Sequence, residues 1–257
     1  MKKILITGKS GYIAKELYKY LKGKYEVTTI GREDFSLEDP EATDEFFSNK
    51  LYDVVIHTAI IGGNRLHKDS VKCFNSNVDI FLNILKNKNK FKRLINFGSG
   101  AQFSLNPKFY GLSKRMINEI IQYVDNVYEL RIYGVFNENE LDSRFIKSAI
   151  KRNLKKQNIS IFENKFMDYI YMEDLCSLVE YYIEADKPQK EIDCCYEDKV
   201  TLFNIAKVIN KISDFKSDIN IESHTYYDYI GSKNKLPIKT IGLVEGIRKT
   251  FSILKDE

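Results

Sequence analysis

Histidine and cysteine are scarce in this sequence, and their scarcity removes whole classes of site. The three histidines, His57, His67 and His224, are too scattered to read as a zinc motif, and the four cysteines contain no C-x-x-C pair, so no metal is expected. Cys194 and Cys195 are neighbours, a poor arrangement for a disulfide; with Cys73 and Cys176 they point to a reducing, cytoplasmic compartment. No apolar run approaches the roughly 20 residues of a membrane span, so no membrane partner is expected. The opening MKKILITG has the basic start of a secretory signal, but its apolar stretch is short and meets Gly8 with no small-residue cleavage site. It reads as a first strand.

A strong charge bias is missing as well. Forty lysines and arginines face 36 aspartates and glutamates, and the lysines are spread along the chain rather than gathered into a stripe, which gives nucleic-acid binding little support. A modest bias toward anionic ligands remains. What the chain does have is the balance of a soluble globular protein, 43% hydrophobic and 30% charged, with 257 residues to bury a core.

Strand-like runs alternate with amphipathic stretches through the first half. Strands are expected at Lys3–Thr7, Glu26–Ile30, Val54–Thr58, Arg93–Phe97 and Val127–Tyr133, and helices near Tyr12–Leu21, Glu41–Asn49, Ser70–Asn87 and Tyr110–Tyr123. Asp39 before Pro40 is a ready helix cap. The alternation predicts an α/β fold, a Rossmann-type doubly wound parallel sheet covered on both faces. After about Phe136 the rhythm loosens. A helix over Asp142–Asn153, a strand pair around Ser160–Phe162 and Met167–Tyr171, and a helix over Glu173–Ala185 are expected. A short strand at Glu191–Cys195, a helix capped by Thr201 and a last helix near Gly242–Leu254 follow. Residues 1–136 therefore read as a dinucleotide-binding core. Residues 137–257 read as a mixed region that returns to the core near 167–195 and otherwise forms a small α/β substrate cap.

Gly8, Gly11 and Ala14 form a G-x-x-G-x-x-A turn between the first strand and the first helix. Glycine lets the backbone curl and lets a pyrophosphate approach bare amides at the positive helix end, and the small Ala14 lets helix and strand pack closely. The second strand ends in Gly31 and Arg32 before any carboxylate. A basic residue there accommodates a 2′-phosphate and favours NADP(H), while Glu33 or Asp34 serving a ribose keeps NAD(H) possible.

A Tyr-x-x-x-Lys pair puts a phenol and an ammonium one helical turn apart, but the chain has four such pairs, so position must choose between them. Only Tyr110 with Lys114 opens a helix directly after the fourth strand, whose end INFGSG supplies Ser99. Ligands bind at the carboxyl ends of strands in an open parallel sheet. A free phenol has a pKa near 10, so proton exchange at neutral pH needs a downward shift of about three units, roughly 4 kcal/mol. The Lys114 ammonium and an oxidised nicotinamide supply it. Tyr110 then protonates a carbonyl oxygen as hydride reaches the carbon, or runs the reverse, with Ser99 holding that oxygen.

The glycine turn, VVIHTA, NSNVDIFLNIL, INFGSG, YGLSK, LRIYGVF and FMDYIYMEDL occur in the order found in the extended short-chain dehydrogenase/reductase (NAD-dependent epimerase/dehydratase) family, which the chain resembles over nearly its whole length. GREDFSLED followed by HTAIIGGN is most similar to its GDP-fucose synthase and dTDP-4-dehydrorhamnose reductase branches. The resemblance implies a nucleotide-sugar substrate and NADPH-dependent reduction of a 4-keto-6-deoxy sugar for a surface polysaccharide, in a homodimer. It implies cofactor contacts at Gly8, Ser10, Gly11, Tyr12, Ile13, Arg32, Thr58, Ala59, Ile60, Tyr110 and Lys114. Asn77 is carried over as a support for the active-site helix or a cofactor contact. Substrate contacts fall to Gly100 and Ala101, and to Arg144, which also reads as a solvated helix residue. Tyr226, Tyr227 and Tyr229 read as aromatic packing, with base stacking as the other reading.

Three departures bear on the substrate. The acid/base pair that epimerises C3 and C5 in GDP-fucose synthase is absent, since its cysteine position reads Ala101 and its histidine region GVFNENELDSRF. The interval from Ser99 to Tyr110 is short, and the arginine of the family's R-D-F-I-H-V-D-D stretch is Met167 here. Two other functions stay open: a C4 epimerase keeping a tight NAD, and a catalytically silent dinucleotide-binding scaffold or sensor.

Overall fold

A computed structural model describes residues 1–63, 69–224 and 227–256; His67 and Tyr226 lie outside them. In chain order the elements begin with β1 (Lys3–Thr7), α1 (Tyr12–Leu21), β2 (Glu26–Ile30), α2 (Pro40–Ser48) and β3 (Tyr52–His57). Next come α3 (Val71–Lys86), β4 (Phe91–Ser99), α4 (Phe109–Gln122), β5 (Val127–Ile132), β6 (Val135–Phe136), α5 (Phe145–Leu154) and β7 (Ile159–Asn164). The chain finishes with β8 (Ile170–Tyr171), α6 (Met172–Glu184), β9 (Glu191–Cys194), α7 (Leu202–Ile212), β10 (Ile219–His224) and α8 (Leu243–Asp256). Among the described residues no helix is long and apolar enough to cross a membrane.

Two compact units result, one of residues 1–131 and 179–192 and one of residues 132–178 and 193–257. The first holds the sheet, in the order β2-β1-β3-β4-β5-β9, with β1 parallel to β2 and β3, and β3 parallel to β4. Ile4, Leu5, Ile6, Val55, Ile56, Leu94 and Ile95 are fully buried, as continuous apolar runs in a sheet covered on both faces must be. The edge strand β2 alternates between exposed and partly buried residues instead, and only Ile30 at its end is buried. Helix α1 buries Ala14, Leu17 and Leu21, one stripe of a 3.6-residue period. Because β1 lies between β2 and β3, the chain reverses its winding direction there, and the crevice at the carboxyl ends of β1 and β3 is the switch point where such sheets take ligands.

Asp39 caps α2: its carboxylate accepts the amide protons of Glu41 at 2.9 Å and Ala42 at 3.1 Å, and Pro40 takes the first turn, where no amide proton is needed. Asp39→Ala is expected to cost about 1 kcal/mol, read as a lower urea midpoint with an unchanged slope.

The second unit is built on two short parallel ribbons, β7 with β10 and β6 with β8, against α5, α7 and α8. Phe136, Ile150, Ile205, Ile209, Ile247 and Phe251 are among the side chains of its core, and Met167 is buried with them. The side chain of Thr201 accepts the Asn204 amide proton at the start of α7. The strands expected to pair around residues 160–162 and 167–171 do not pair with each other. β7 presents Ile159 and Ile161 to the core and takes β10, whose Ile219 and Ile221 stand at matching positions; β8 takes β6. Tyr229 packs edge-on against Tyr133 at 5.3 Å between ring centres, and Tyr227 is exposed. All four cysteines are buried, and none of them forms a disulfide.

Candidate active site

The first turn is shaped for an anion. Gly8 sits at φ +75°, and a Cβ there would lie 2.8 Å from the Ala59 Cα and 2.9 Å from its nitrogen. Only glycine meets both demands. The Gly11 amide closes the turn on the Gly8 carbonyl at 2.8 Å, and Gly11 begins α1 with no capping side chain. Ser10 and Gly11 are exposed, with Tyr12 and Ile13 partly so. The first-turn amides of α1 therefore point outward beside the end of β3, an arrangement that fits a dinucleotide pyrophosphate.

Thr7 ties that end together. Its hydroxyl meets His57 Nδ1 at 2.9 Å and accepts the amide protons of Thr58 and Ala59, each at 3.2 Å; Thr58 Oγ1 donates back to the Thr7 carbonyl at 2.6 Å. Burial, with the Lys114 charge adding to it, pushes the His57 imidazole down to about 3, so it stays neutral and structural. Thr58, Ala59 and Ile60 leave β3 partly exposed. Buried Asn77 ties the next residue to α4: it takes the Ile61 amide proton at 2.8 Å, returns a proton to the Ile61 carbonyl at 2.9 Å and donates to Ser113 Oγ at 3.1 Å. Its amide is thus engaged within the protein.

Ser99 ends β4 and caps the tight turn Gly100–Phe103, accepting the Ala101 amide proton at 3.2 Å. Gly111, in the first turn of α4, is needed for the close approach of that helix, because a Cβ there would stand 2.6 Å from the Ala101 carbonyl oxygen. Tyr110, half-buried beside Gly111, lies against Gly63, where a Cβ would come within 2.9 Å of the ring. One turn further, Lys114 is 5% exposed and donates to the Phe97 carbonyl of β4. Burial pulls this ammonium toward its neutral form, and the Glu129 carboxylate opposes that pull.

Beyond β2, Arg32 is exposed. Lys9, inside the glycine turn, holds Asp34 at 2.8 Å and Glu33 at 3.4 Å, and Asp34 also accepts the Gly31 amide proton at 2.9 Å. That pairing holds the Asp34 carboxyl below its ordinary range. The local balance of charge is therefore two cations against two anions, with one carboxylate tied down.

Every expected cofactor and catalytic residue belongs to the first unit, as do Gly100 and Ala101. Arg144 belongs to the second unit, exposed at the start of α5. Sequence reasoning passed over Lys9, Gly63, Gln102 and Glu129. Lys9 was legible as a charge inside the phosphate turn, and Gln102 as the end of an S-x-x-Q capping box that begins at Ser99; Gly63 and Glu129 carry no local signal, because their importance comes from neighbours distant in the chain.

Residues 4–195 match the profile of the NAD dependent epimerase/dehydratase family. No curated protein matches the chain in sequence. Among solved structures, a GDP-L-fucose synthetase from Naegleria fowleri bound to NADP superimposes with a TM-score of 0.82 at 17% identity, over 99% of this chain and 93% of that one. A GDP-mannoheptose C4 reductase from Campylobacter jejuni with NADP bound gives 0.83 at 17%, over 99% and 98%. UDP-glucose 4-epimerase from Thermotoga maritima with UDP-glucose gives 0.81 at 18%, over 99% of each chain. At these identities the likeness is one of fold.

Proposed function

The chain belongs to the NAD dependent epimerase/dehydratase family, and from that premise we propose that it reduces a nucleotide-linked 4-keto-6-deoxy sugar with NADPH, supplying an activated deoxysugar for a surface polysaccharide. A cytoplasmic homodimer is part of the same proposal. The observation that carries it is the burial of Lys114 against β4, one turn beyond Tyr110 and beside the strand end that supplies Ser99. A lysine is rarely buried without a task, and this one stands one helical turn after Tyr110.

NADPH, when bound, supplies the hydride that reduces the carbonyl carbon. Gly8, Gly11 and the first turn of α1 would hold its pyrophosphate, and Arg32 with Lys9 would meet a 2′-phosphate. Ser99 Oγ donates to the carbonyl oxygen and fixes it. Tyr110 passes its proton to that oxygen, and the Lys114 ammonium stabilises the phenolate left behind. Ala101 carries no acid or base, so the substrate keeps its configuration at neighbouring carbons.

The test is incubation with NADPH and GDP-, dTDP-, CDP- or UDP-linked 4-ketosugars, following absorbance of the reduced nicotinamide. Stoichiometric loss of absorbance with one nucleotide series is expected. Conversion of a sugar without net NADPH loss, by protein purified with NAD bound, would instead indicate a C4 epimerase. Silence with every sugar would indicate a scaffold or sensor.

A further inference from the structure

Beneath the end of β4 lies a carboxylate that the proton transfer does not use. Glu129 of β5 is fully buried at 0% exposure, on a central strand where an apolar side chain is the rule. Burying a carboxylate is costly unless its lone pairs are satisfied. Three side-chain amides satisfy them: Gln102 at 3.0 Å and Asn118 at 2.9 Å on Oε1, and Asn96 at 3.3 Å on Oε2. Gly98, the residue before Ser99, leaves the space, since a Cβ there would stand 2.5 Å from Oε1. The charged groups acting on Glu129 are Lys114 of α4, Arg131 of β5 and Glu191 of β9.

Gln102 joins this carboxylate to the turn that carries Ser99. Its Nε2 donates to Glu129, and its Oε1 accepts the Ser99 amide proton at 3.1 Å. The side chain is 1% exposed. A carboxylate only accepts and a backbone amide only donates, so the Gln102 amide has one allowed orientation between them. Arg115 pins the backbone of the turn separately, through the carbonyls of Gln102 and Ser104, each at 2.7 Å. The Gln102 side chain can therefore be altered without releasing the turn.

We propose that Glu129 is a positioning residue, which holds Ser99 in place by fixing the orientation of Gln102. What Ser99 then does rests on the reduction proposed above; the relay itself does not. Glu129→Gln should preserve the relay, because its carbonyl still accepts from Gln102 and Asn118. The new amide can then meet Asn96 Oδ1, a buried atom without a hydrogen-bond partner among the described residues, once the Asn96 amide rotates.

The experiment has two arms. Hydrogen exchange at the Ser99 amide is read by NMR on the protein alone, without substrate. Gln102→Leu and Glu129→Leu are expected to speed that exchange about tenfold or more, and Glu129→Gln is expected to keep it protected. In the second arm, kcat is measured for Gln102→Leu alone and on a Ser99→Ala background. A fall of about tenfold in the first case and near none in the second marks a residue that acts through Ser99. Unchanged Ser99 exchange in Glu129→Leu overturns the relay, as does an equal kcat loss on both backgrounds. If no ketosugar turns over, the reduction fails as a reading while the exchange arm still decides the relay. If Glu129→Leu does not fold, Glu129→Ala takes its place in the exchange arm, with the same expected and contrary results.

Discussion

Replacing Tyr110 with phenylalanine is expected to lower kcat for ketosugar reduction by about 10²- to 10⁴-fold, the span that a positioned general acid contributes. The change removes one oxygen and little else. The ring atoms that pack against Gly63 are Cε2, Cζ and Cδ2, all present in phenylalanine, and the neighbouring Gly111 contact with Ala101 is untouched. Lys114 keeps its bond to the Phe97 carbonyl, so the floor of the site remains. NADPH affinity should change by less than about threefold, or under 1 kcal/mol. A loss in kcat with binding retained isolates the proton step from cofactor capture. Steady-state rates by nicotinamide absorbance, with affinity from fluorescence titration, check both halves.

The second large effect is expected at Gly8. Alanine there must adopt φ +75°, which costs an L-residue about 1–2 kcal/mol, and its Cβ would strike the Ala59 backbone at 2.8 Å, an obstacle that cannot rotate away. The turn must open, and the Gly11 amide loses its registry with the Gly8 carbonyl. Because that turn aims the first amides of α1, a strain of about 2–3 kcal/mol passed to binding weakens NADPH by roughly 100-fold. Fluorescence titration reads the affinity. An affinity within threefold of the parent would show that the turn does not hold the cofactor.

Where a segment's own side chains decide its structure, the sequence sufficed. The apolar run Lys3–Thr7, the stripe Ala14, Leu17 and Leu21, and the caps Asp39 and Thr201 are local signals, and each element stands where they put it. Strand β10 was missed: it carries two apolar residues amid polar ones, and only the facing Ile159 and Ile161 make it a strand. The same divide runs through the candidate site. That Tyr110 opens the helix following the strand that ends in Ser99 was legible from spacing. Glu129, 27 residues from Gln102 and 15 from Lys114, has no motif to announce it. Its surroundings exist only once β4, β5 and α4 have packed.

The central claim is that hydride from NADPH arrives at a sugar carbonyl while Tyr110 supplies the proton. NADPH deuterated at both nicotinamide C4 positions, incubated with the ketosugar that responds, tests it in one mass spectrum. The account predicts a product carrying one deuterium on the former carbonyl carbon, with one coenzyme oxidised per sugar reduced. A converted sugar free of deuterium, with the reduced coenzyme unspent, would contradict it.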